Sequence, residues 1–135
     1  MGLRKSIRVA GLIVAMIALN GSLDAQGRGQ YHWEYLGDAH VDGRVDHDKI
    51  TISGDRWFRA IQFSVDGGAV RFLRVIVHFD NGANQEVVIP NRIGPGRRSR
   101  VIELARDERK LHSVEFWYEK MRWRTRPHVE LWGSQ

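Results

Sequence analysis

Two arginine-rich stretches carry the side chains best suited to chemistry in this chain of 135 residues. One surrounds a predicted Gly/Pro loop at Gly94-Pro95-Gly96, and the other alternates with Trp123. A guanidinium group binds carboxylate, phosphate or sulfate in a planar, bidentate manner, and it also stacks on aromatic rings. The two stretches therefore predict a surface that recognises an anion. Its candidate residues are Arg92, Arg97, Arg98, Arg100, Arg122, Arg124 and Arg126.

The alternative use of these arginines is structural. Arginines on one strand form ion pairs with glutamates on a neighbouring strand, each worth roughly a few tenths of a kcal/mol. The glutamates available for such pairs are Glu103, Glu115, Glu119 and Glu130. The sequence leaves both interpretations open.

A cluster of acids and histidines supplies candidate metal ligands. They are Asp38, His40, Asp42 and Asp48. On a strand, Asp38, His40, Asp42 and Asp46 would share one face, because alternate side chains point the same way. Imidazole with carboxylates suits Zn²⁺, and carboxylates alone suit Ca²⁺. The alternative is a solvated strand face followed by a turn at 46–48, whose acids discourage edge-to-edge pairing of sheets.

Three tryptophans provide a different kind of binding surface. Trp117 and Trp132 alternate away from the apolar faces of their strands, and Trp123 lies within the second arginine stretch. Exposed aromatic rings are suited to stacking against sugar rings, so these residues predict a carbohydrate-binding module as an alternative. The same pattern also arises when both faces of a central strand are buried.

Enzymatic chemistry has weak support in the sequence. The chain has no cysteine, its serines lack the setting of a nucleophile elbow, and its six histidines form no HExxH set. We therefore predict a binding or structural module with no catalytic residues and no cofactor. A metal-dependent enzyme built on the acid and histidine cluster is the remaining alternative.

The first 25 residues have the composition of a secretory signal peptide. Arg4, Lys5 and Arg8 precede an apolar run at 9–19, and Ala25 provides a small residue for cleavage. The run of eleven residues is shorter than the roughly 20 that a membrane-spanning helix needs. We predict a signal peptide at 1–25, a mature domain at 26–135 without a transmembrane segment, and a secreted or periplasmic location.

The charge of the predicted mature domain is mild. It has 18 basic and 15 acidic residues, a net charge of +3, and 15 of the basic residues are arginines. A codon preference for arginine would produce the same composition. Because export separates the chain from nucleic acid, the expected partners are an acidic glycan, a lipid headgroup or an acidic protein surface.

Apolar and polar residues alternate with a period of two from Trp33 onward, which predicts β-strands. Asp80-Asn81-Gly82 is the strongest hairpin signal and should join strands at 73–79 and 86–89. Turn residues recur about every ten positions, and no stretch outside the predicted signal peptide keeps a helical stripe for three turns. We therefore predict an all-β chain, a single antiparallel β-sandwich of about eight or nine short strands preceded by a signal peptide.

Several landmarks follow one another between Trp33 and Gly133. They are Leu36-Gly37, the 46–48 segment before Ile50, the stretches 59–63, 75–82 and 93–96, then Ser99 with Ile102 and Leu104, Arg109, and 114–118. This order resembles an uncharacterised family of small exported bacterial β-sandwich proteins, a domain of unknown function. Since the landmarks are mostly glycines and core positions, the resemblance implies an exported sandwich and carries over no catalytic residue.

The expected cleavage is directly testable. Because Ala25 is the small residue that follows the apolar run, exported protein should begin at Gln26. Intact-mass spectrometry of the protein secreted by a bacterial host measures this start. Protein that keeps Met1 and stays with the membrane fraction would contradict both the cleavage and the location.

Overall fold

Alternating apolar and polar residues form nine β-strands in the described part of the chain. The computed structural model describes residues 31–41, 46–54, 56–105 and 110–135, so the predicted signal peptide lies outside it. The strands are β1 Glu34–His40, β2 His47–Thr51, β3 Ala60–Asp66, β4 Phe72–Phe79, β5 Asn84–Val87, β6 Arg97–Arg98, β7 Ile102–Glu103, β8 Leu111–Tyr118 and β9 His128–Ser134. No helix among these residues is long and apolar enough to cross a membrane.

The strands form two antiparallel sheets. The five-stranded sheet has the order β1-β9-β3-β6, and β7 pairs with β3 beside β6. The four-stranded sheet has the order β2-β8-β4-β5. The prediction of an all-β antiparallel sandwich of eight or nine short strands is confirmed.

Three phenylalanine rings join the two sheets at the centre of the core. Phe63 on β3 stacks on Phe72 of β4 with ring centroids 4.8 Å apart, and it meets Phe116 of β8 edge-on at 5.7 Å. Phe63 and Phe116 are fully buried and Phe72 is nearly so. Burying each ring contributes about 1.5–3 kcal/mol, and each aromatic pair adds roughly 0.5–1.5 kcal/mol. This packing fixes which face of each strand points outward.

The predicted hairpin at Asn81-Gly82 is confirmed. Its second strand begins at Asn84, two residues earlier than the predicted start at 86, so the connection is shorter than predicted. Asn84 pairs with His78. The Phe79 N–H donates to the Ala83 carbonyl at 2.9 Å, which closes the turn early. Gly82 has φ +87°, a conformation that L residues with a Cβ rarely adopt.

Two segments that the sequence suggested as loops are strands. His47 and Asp48, expected in a turn, begin β2, because the Asp46 carbonyl accepts the Tyr118 N–H at 3.0 Å and so continues the ladder to β8. Arg97 and Arg98, expected around a Gly/Pro loop, form β6. Gly96, at φ +77°, turns the chain so that these arginines pair with β3.

Replacing Gly82 tests the hairpin. In Gly82→Ala the added Cβ meets no neighbouring atom, so the cost comes from the positive φ alone and should be about 1 kcal/mol. Gly94→Ala is the matched control, because its φ is not in the left-handed range and its Cβ would make ordinary contact with Arg97 at 3.8 Å. Urea unfolding measures both free energies; equal stability of the two variants would place the strained turn elsewhere.

Candidate functional site

Ser99 holds the first arginine stretch against the five-stranded sheet. This buried serine accepts the Phe63 N–H on its Oγ at 2.9 Å, and its own N–H donates to the Phe63 carbonyl at 2.8 Å. Its carbonyl accepts a hydrogen bond from Gln62 Nε2 at 2.8 Å. Between β6 and β7, the Ser99 hydroxyl accepts the β3 hydrogen bond that a strand carbonyl would otherwise accept. The backbone that carries the arginines is therefore held at a fixed position.

A surface depression of about 430 Å³ lies along this stretch. Its lining includes all four arginines that the sequence singled out here: Arg92, Arg97, Arg98 and Arg100. The Arg100 guanidinium donates hydrogen bonds to the carbonyls of Val88 and Val101, at 2.8 and 3.3 Å. The structure therefore brings the first set together, with Arg100 serving mainly to bridge backbone segments.

The other three arginines of this stretch have freer guanidinium groups. Arg98 lies over the ring of Trp132, with Cζ 5.8 Å from the ring centroid. Arg92 and Arg97 are exposed and form no ion pair with any residue that the structure describes. These two cations are available to a ligand at the depression.

Trp123 anchors the second arginine stretch. Its ring packs against the core, and its Nε1–H donates to the Ala69 carbonyl at 2.8 Å. Arg122, Arg124 and Arg126, which alternate with it, are all exposed. Trp123 is partly buried, and the arginines on either side of it point toward solvent.

Both arginine stretches contact the same connection, the residues that lead from β3 to β4. On one side, Ile93 and Val70 exchange backbone hydrogen bonds of 2.8 and 2.9 Å. On the other, Gly67 packs so closely that a Cβ there would lie 2.7 Å from the Arg126 carbonyl oxygen, which only glycine permits. We call this region, comprising 92–100, 122–126 and the connection between β3 and β4, the arginine end.

Two of the four glutamates proposed as structural partners of these arginines have other contacts. Glu115 accepts hydrogen bonds from two histidines, and Glu119 lies 3.6 Å from Arg71. The ion pairs between described residues that involve arginine use Arg56, Arg71 and Arg74. Cross-strand pairing therefore does not account for the exposed arginines of the arginine end.

The three tryptophans of the carbohydrate hypothesis are not brought together. Trp132 lies on the outer face of the five-stranded sheet, where Tyr35 meets it edge-on at 5.7 Å. Trp117 lies on the outer face of the other sheet, stacked on His47 at 4.5 Å and covered by Arg74. Since these two rings are on opposite sides of the sandwich, they form no common strip with Trp123.

The metal hypothesis has a different outcome for each of its residues. Asp38 and His40 share the outer face of β1 as predicted, and His128 of β9 joins them. Asp48 lies on β2, in the other sheet, where its carboxylate contacts the Tyr118 hydroxyl at 3.3 Å. Asp42 lies outside the described residues. Sequence reasoning missed His128, because only the register of β1 against β9 places it opposite His40.

Hydrogen bonds on this face perturb two ionisable groups. His128 Nε2 lies 2.5 Å from Asp38 Oδ2, and the Tyr35 hydroxyl also contacts the carboxylate. The bond from His128, followed by that from Tyr35, lowers the pKa of Asp38 below its ordinary value. The hydrogen bond to Asp38 is also the main reason why the pKa of Tyr35 is raised.

A second group of histidines and a carboxylate occupies the outer face of the four-stranded sheet. Glu115 on β8 accepts from His78 Nε2 at 2.8 Å and from His47 Nε2 at 2.5 Å. These bonds lower the pKa of Glu115, and the bond from His78 is the larger cause. Partial burial acts in the opposite direction and raises the pKa. The alternation of each strand signalled outward-facing residues, but nothing in the sequence showed that these three strands are neighbours.

A larger depression of about 980 Å³ includes Trp57, Arg59, Glu103 and Gln135 in its lining. It also includes Ala105, which adjoins residues 106–109 outside the described part of the chain. We assign no site to it.

Glu115 should make the fold sensitive to acid. Since the folded pKa is lower than the unfolded one, the unfolded chain takes up the proton first, and stability should fall as the pH drops from about 4.3 through the folded pKa. Glu115→Gln should weaken this dependence and cost about 1 kcal/mol at pH 7, where the charge-assisted bonds are lost. Urea unfolding at several pH values measures both effects.

Glu86→Gln is the control for this test. It removes an exposed carboxylate from the same face, one bonded to Arg74 at 3.3 Å. If stability depends on acid as weakly in Glu86→Gln as in Glu115→Gln, the overall charge of the protein, and not the histidine bonds, causes the loss of stability at low pH.

Comparison with known proteins supports the fold. The sandwich is similar to the structure of AlgX from Pseudomonas aeruginosa, with a TM-score of 0.50 and 12% identity over 77% of this chain. This chain spans 27% of the length of that AlgX chain. At this identity the similarity concerns the fold alone. No curated protein matches the chain.

Variants of a family 29 carbohydrate-binding module, CBM29-2, are more distantly similar. One, complexed with cellulohexaose, has a TM-score of 0.40 and 12% identity, covering 78% of this chain and 80% of its own. Another, complexed with mannohexaose, has a TM-score of 0.39 and 15% identity, covering 78% and 81%. A family model for a domain of unknown function, DUF2541, matches residues 11–133, nearly the whole chain, and the protein therefore belongs to that family.

Proposed function

We propose that this protein is an exported, non-catalytic binding module whose arginine end recognises an anionic ligand. The export part rests on the N-terminal 25 residues, which have the composition of a signal peptide. The ligand part rests on the arrangement of the arginine end. The ligand class is a polyanion that carries carboxylate, sulfate or phosphate groups.

The observation that carries the proposal is the meeting of two separate arginine stretches at one connection. Ile93 and Val70 exchange backbone hydrogen bonds of 2.8 and 2.9 Å on one side of it, while Trp123 bonds to Ala69 on the other. These stretches are distant in the sequence, and each is fixed by buried contacts. Arginines carried on a fixed backbone bind an anion at a lower entropic cost than arginines on a mobile loop.

The arrangement of charge suits a repeated anion. Arg92 and Arg97 border the depression, while Arg122, Arg124 and Arg126 are exposed beyond the connection. A guanidinium that is not already paired keeps its planar, bidentate donors for carboxylate, sulfate or phosphate. A chain-like polyanion can contact both sides of the connection at once, which a single small anion cannot.

Arg98 and Trp132 add a feature that favours an acidic glycan among polyanions. The guanidinium and the indole lie in contact on the outer face next to the depression. An acidic sugar presents an anionic group to the cation and an apolar ring face to the aromatic side chain. A lipid headgroup uses only the charge.

Binding to defined polyanions tests the proposal. Heparin and polygalacturonate serve as sulfated and carboxylated glycans, and vesicles with phosphatidylglycerol serve as the lipid probe. We expect binding that falls steeply with salt, because exposed charges are screened within about 10 Å at 0.1 M ionic strength. Calorimetry and vesicle co-sedimentation measure it, and neutral dextran should not bind.

Paired substitutions locate the site. Arg97→Glu with Arg98→Glu, and separately Arg122→Glu with Arg124→Glu, should each abolish binding while the melting temperature changes little, since these side chains are exposed. Arg97→Lys with Arg98→Lys keeps the charge but loses the planar fork, so binding should weaken only partly.

Lys49→Glu with Arg74→Glu is the matched control, because it changes the net charge equally on the other sheet. Equal loss of binding in the three pairs that are changed to glutamate would refute a localised site. Salt-insensitive binding to neutral glycans, lost in Trp132→Ala or Trp117→Ala, would favour the carbohydrate alternative. A sharp fall in melting temperature in both arginine pairs, with no binding by the unaltered protein, would show that the arginines are structural.

A further inference from the structure

We propose that Asp38, His40 and His128 form a binding site for a divalent transition-metal ion of the Zn²⁺ type on the outer face of the five-stranded sheet. This inference does not rest on the proposed anion-binding function. It concerns a different surface, formed by β1 and β9.

The register of two strands assembles the site. His40 and His128 are directly opposed in the β1–β9 ladder, and Asp38 is two residues before His40, on the same face. The two imidazole rings stack with centroids 4.5 Å apart and an interplanar angle of 24°. One ligand atom from each of the three residues lies within 4.8 Å of the others.

These distances are close to those of a coordinated ion. Ligand atoms about 2.1 Å from a tetrahedral ion lie about 3.4 Å from one another, so small side-chain rotations complete the site. His128 and Asp38 already approach to 2.5 Å, and a bound ion would replace the proton that they share. His40 forms no hydrogen bond with any described residue, so its ring nitrogens are free to coordinate.

Neighbouring residues favour a cation at this position. Glu130 is the ladder partner of Asp38 on β9, and Asp66 is the partner of His128 on β3. Partners in an antiparallel ladder point to the same face, so both carboxylates border the site and attract a positive ion. The Tyr35 hydroxyl bonds to Asp38 and orients it, as outer-sphere partners of metal ligands commonly do.

The donor set selects the class of metal. Two imidazole nitrogens and one carboxylate oxygen suit Zn²⁺ and related first-row ions, whereas Ca²⁺ and Mg²⁺ prefer oxygen ligands throughout. Three protein ligands leave one position of a tetrahedral ion for water or for an exogenous donor. The site is therefore open to solvent and to a ligand.

Metal titration of the full chain, purified without a histidine tag and stripped with chelator, tests the site. We expect Zn²⁺ to saturate at one ion per chain in calorimetry and to raise the melting temperature by several degrees, since it binds the folded state. Co²⁺ should give the intense visible absorption of tetrahedral coordination. Ca²⁺ at the same concentration should change neither signal.

Substitutions assign the ligands. Asp38→Ala, His40→Ala and His128→Ala should each weaken Zn²⁺ binding at least about tenfold and remove the Co²⁺ absorption, and Tyr35→Phe should weaken binding by up to about tenfold. His112→Ala is the control, because it removes an exposed histidine that lies 3.5 Å from Asp80. It should leave the affinity within about twofold.

Three results would overturn the site. They are no saturable Zn²⁺ binding by the unaltered protein, equal loss of affinity in His112→Ala, and retention of the Co²⁺ absorption when His40 and His128 are both replaced. Loss of binding in His47→Ala with His78→Ala, but not in the β1 and β9 variants, would move the metal to the Glu115 cluster and also refute the assignment. Polyanion binding can fail or succeed independently of each of these results.

Discussion

The packing of Phe63 against Phe72 and Phe116 is the contact on which the rest of the molecule depends. One ring comes from the five-stranded sheet and two come from the four-stranded sheet, and together they hold the layers in contact. Because side chains alternate along a strand, a shift of one residue would move every buried side chain to the surface. Once these rings are inside, the histidines and carboxylates of both sheets must lie outside.

β3 is the strand through which that packing reaches the arginine end. It pairs with β9 along its whole length on one edge, and with β6 and β7 on the other. Ser99 replaces part of the interrupted ladder between β6 and β7, and Gly67 lets the chain before β9 pass close to the end of β3. Two arginine stretches that are distant in the sequence thus flank one connection between strands.

The two outer faces carry similar groups of side chains for the same geometric reason. Each holds two histidines around one carboxylate, with Asp38 on one face and Glu115 on the other. The groups differ in detail. Around Glu115 the carboxylate separates the two histidines and accepts from both. Around Asp38 the two rings stack, and of these two histidines the carboxylate contacts His128 alone. This difference makes the first group a hydrogen-bonded cluster and the second a candidate metal site.

The sequence by itself determined the class of fold, the hairpin at Gly82, and the position of Asp38 and His40 on one face of a strand. These features follow from the alternation of side chains and from turn residues, which act between near neighbours along the chain. Tertiary structure alone decided that His128 faces His40, that Asp48 belongs to the other sheet, and that Arg97 and Arg98 form a strand. It also placed Trp117 and Trp132 on opposite sides. These outcomes depend on which strands pair and in what register, and packing between residues distant in the sequence selects that arrangement.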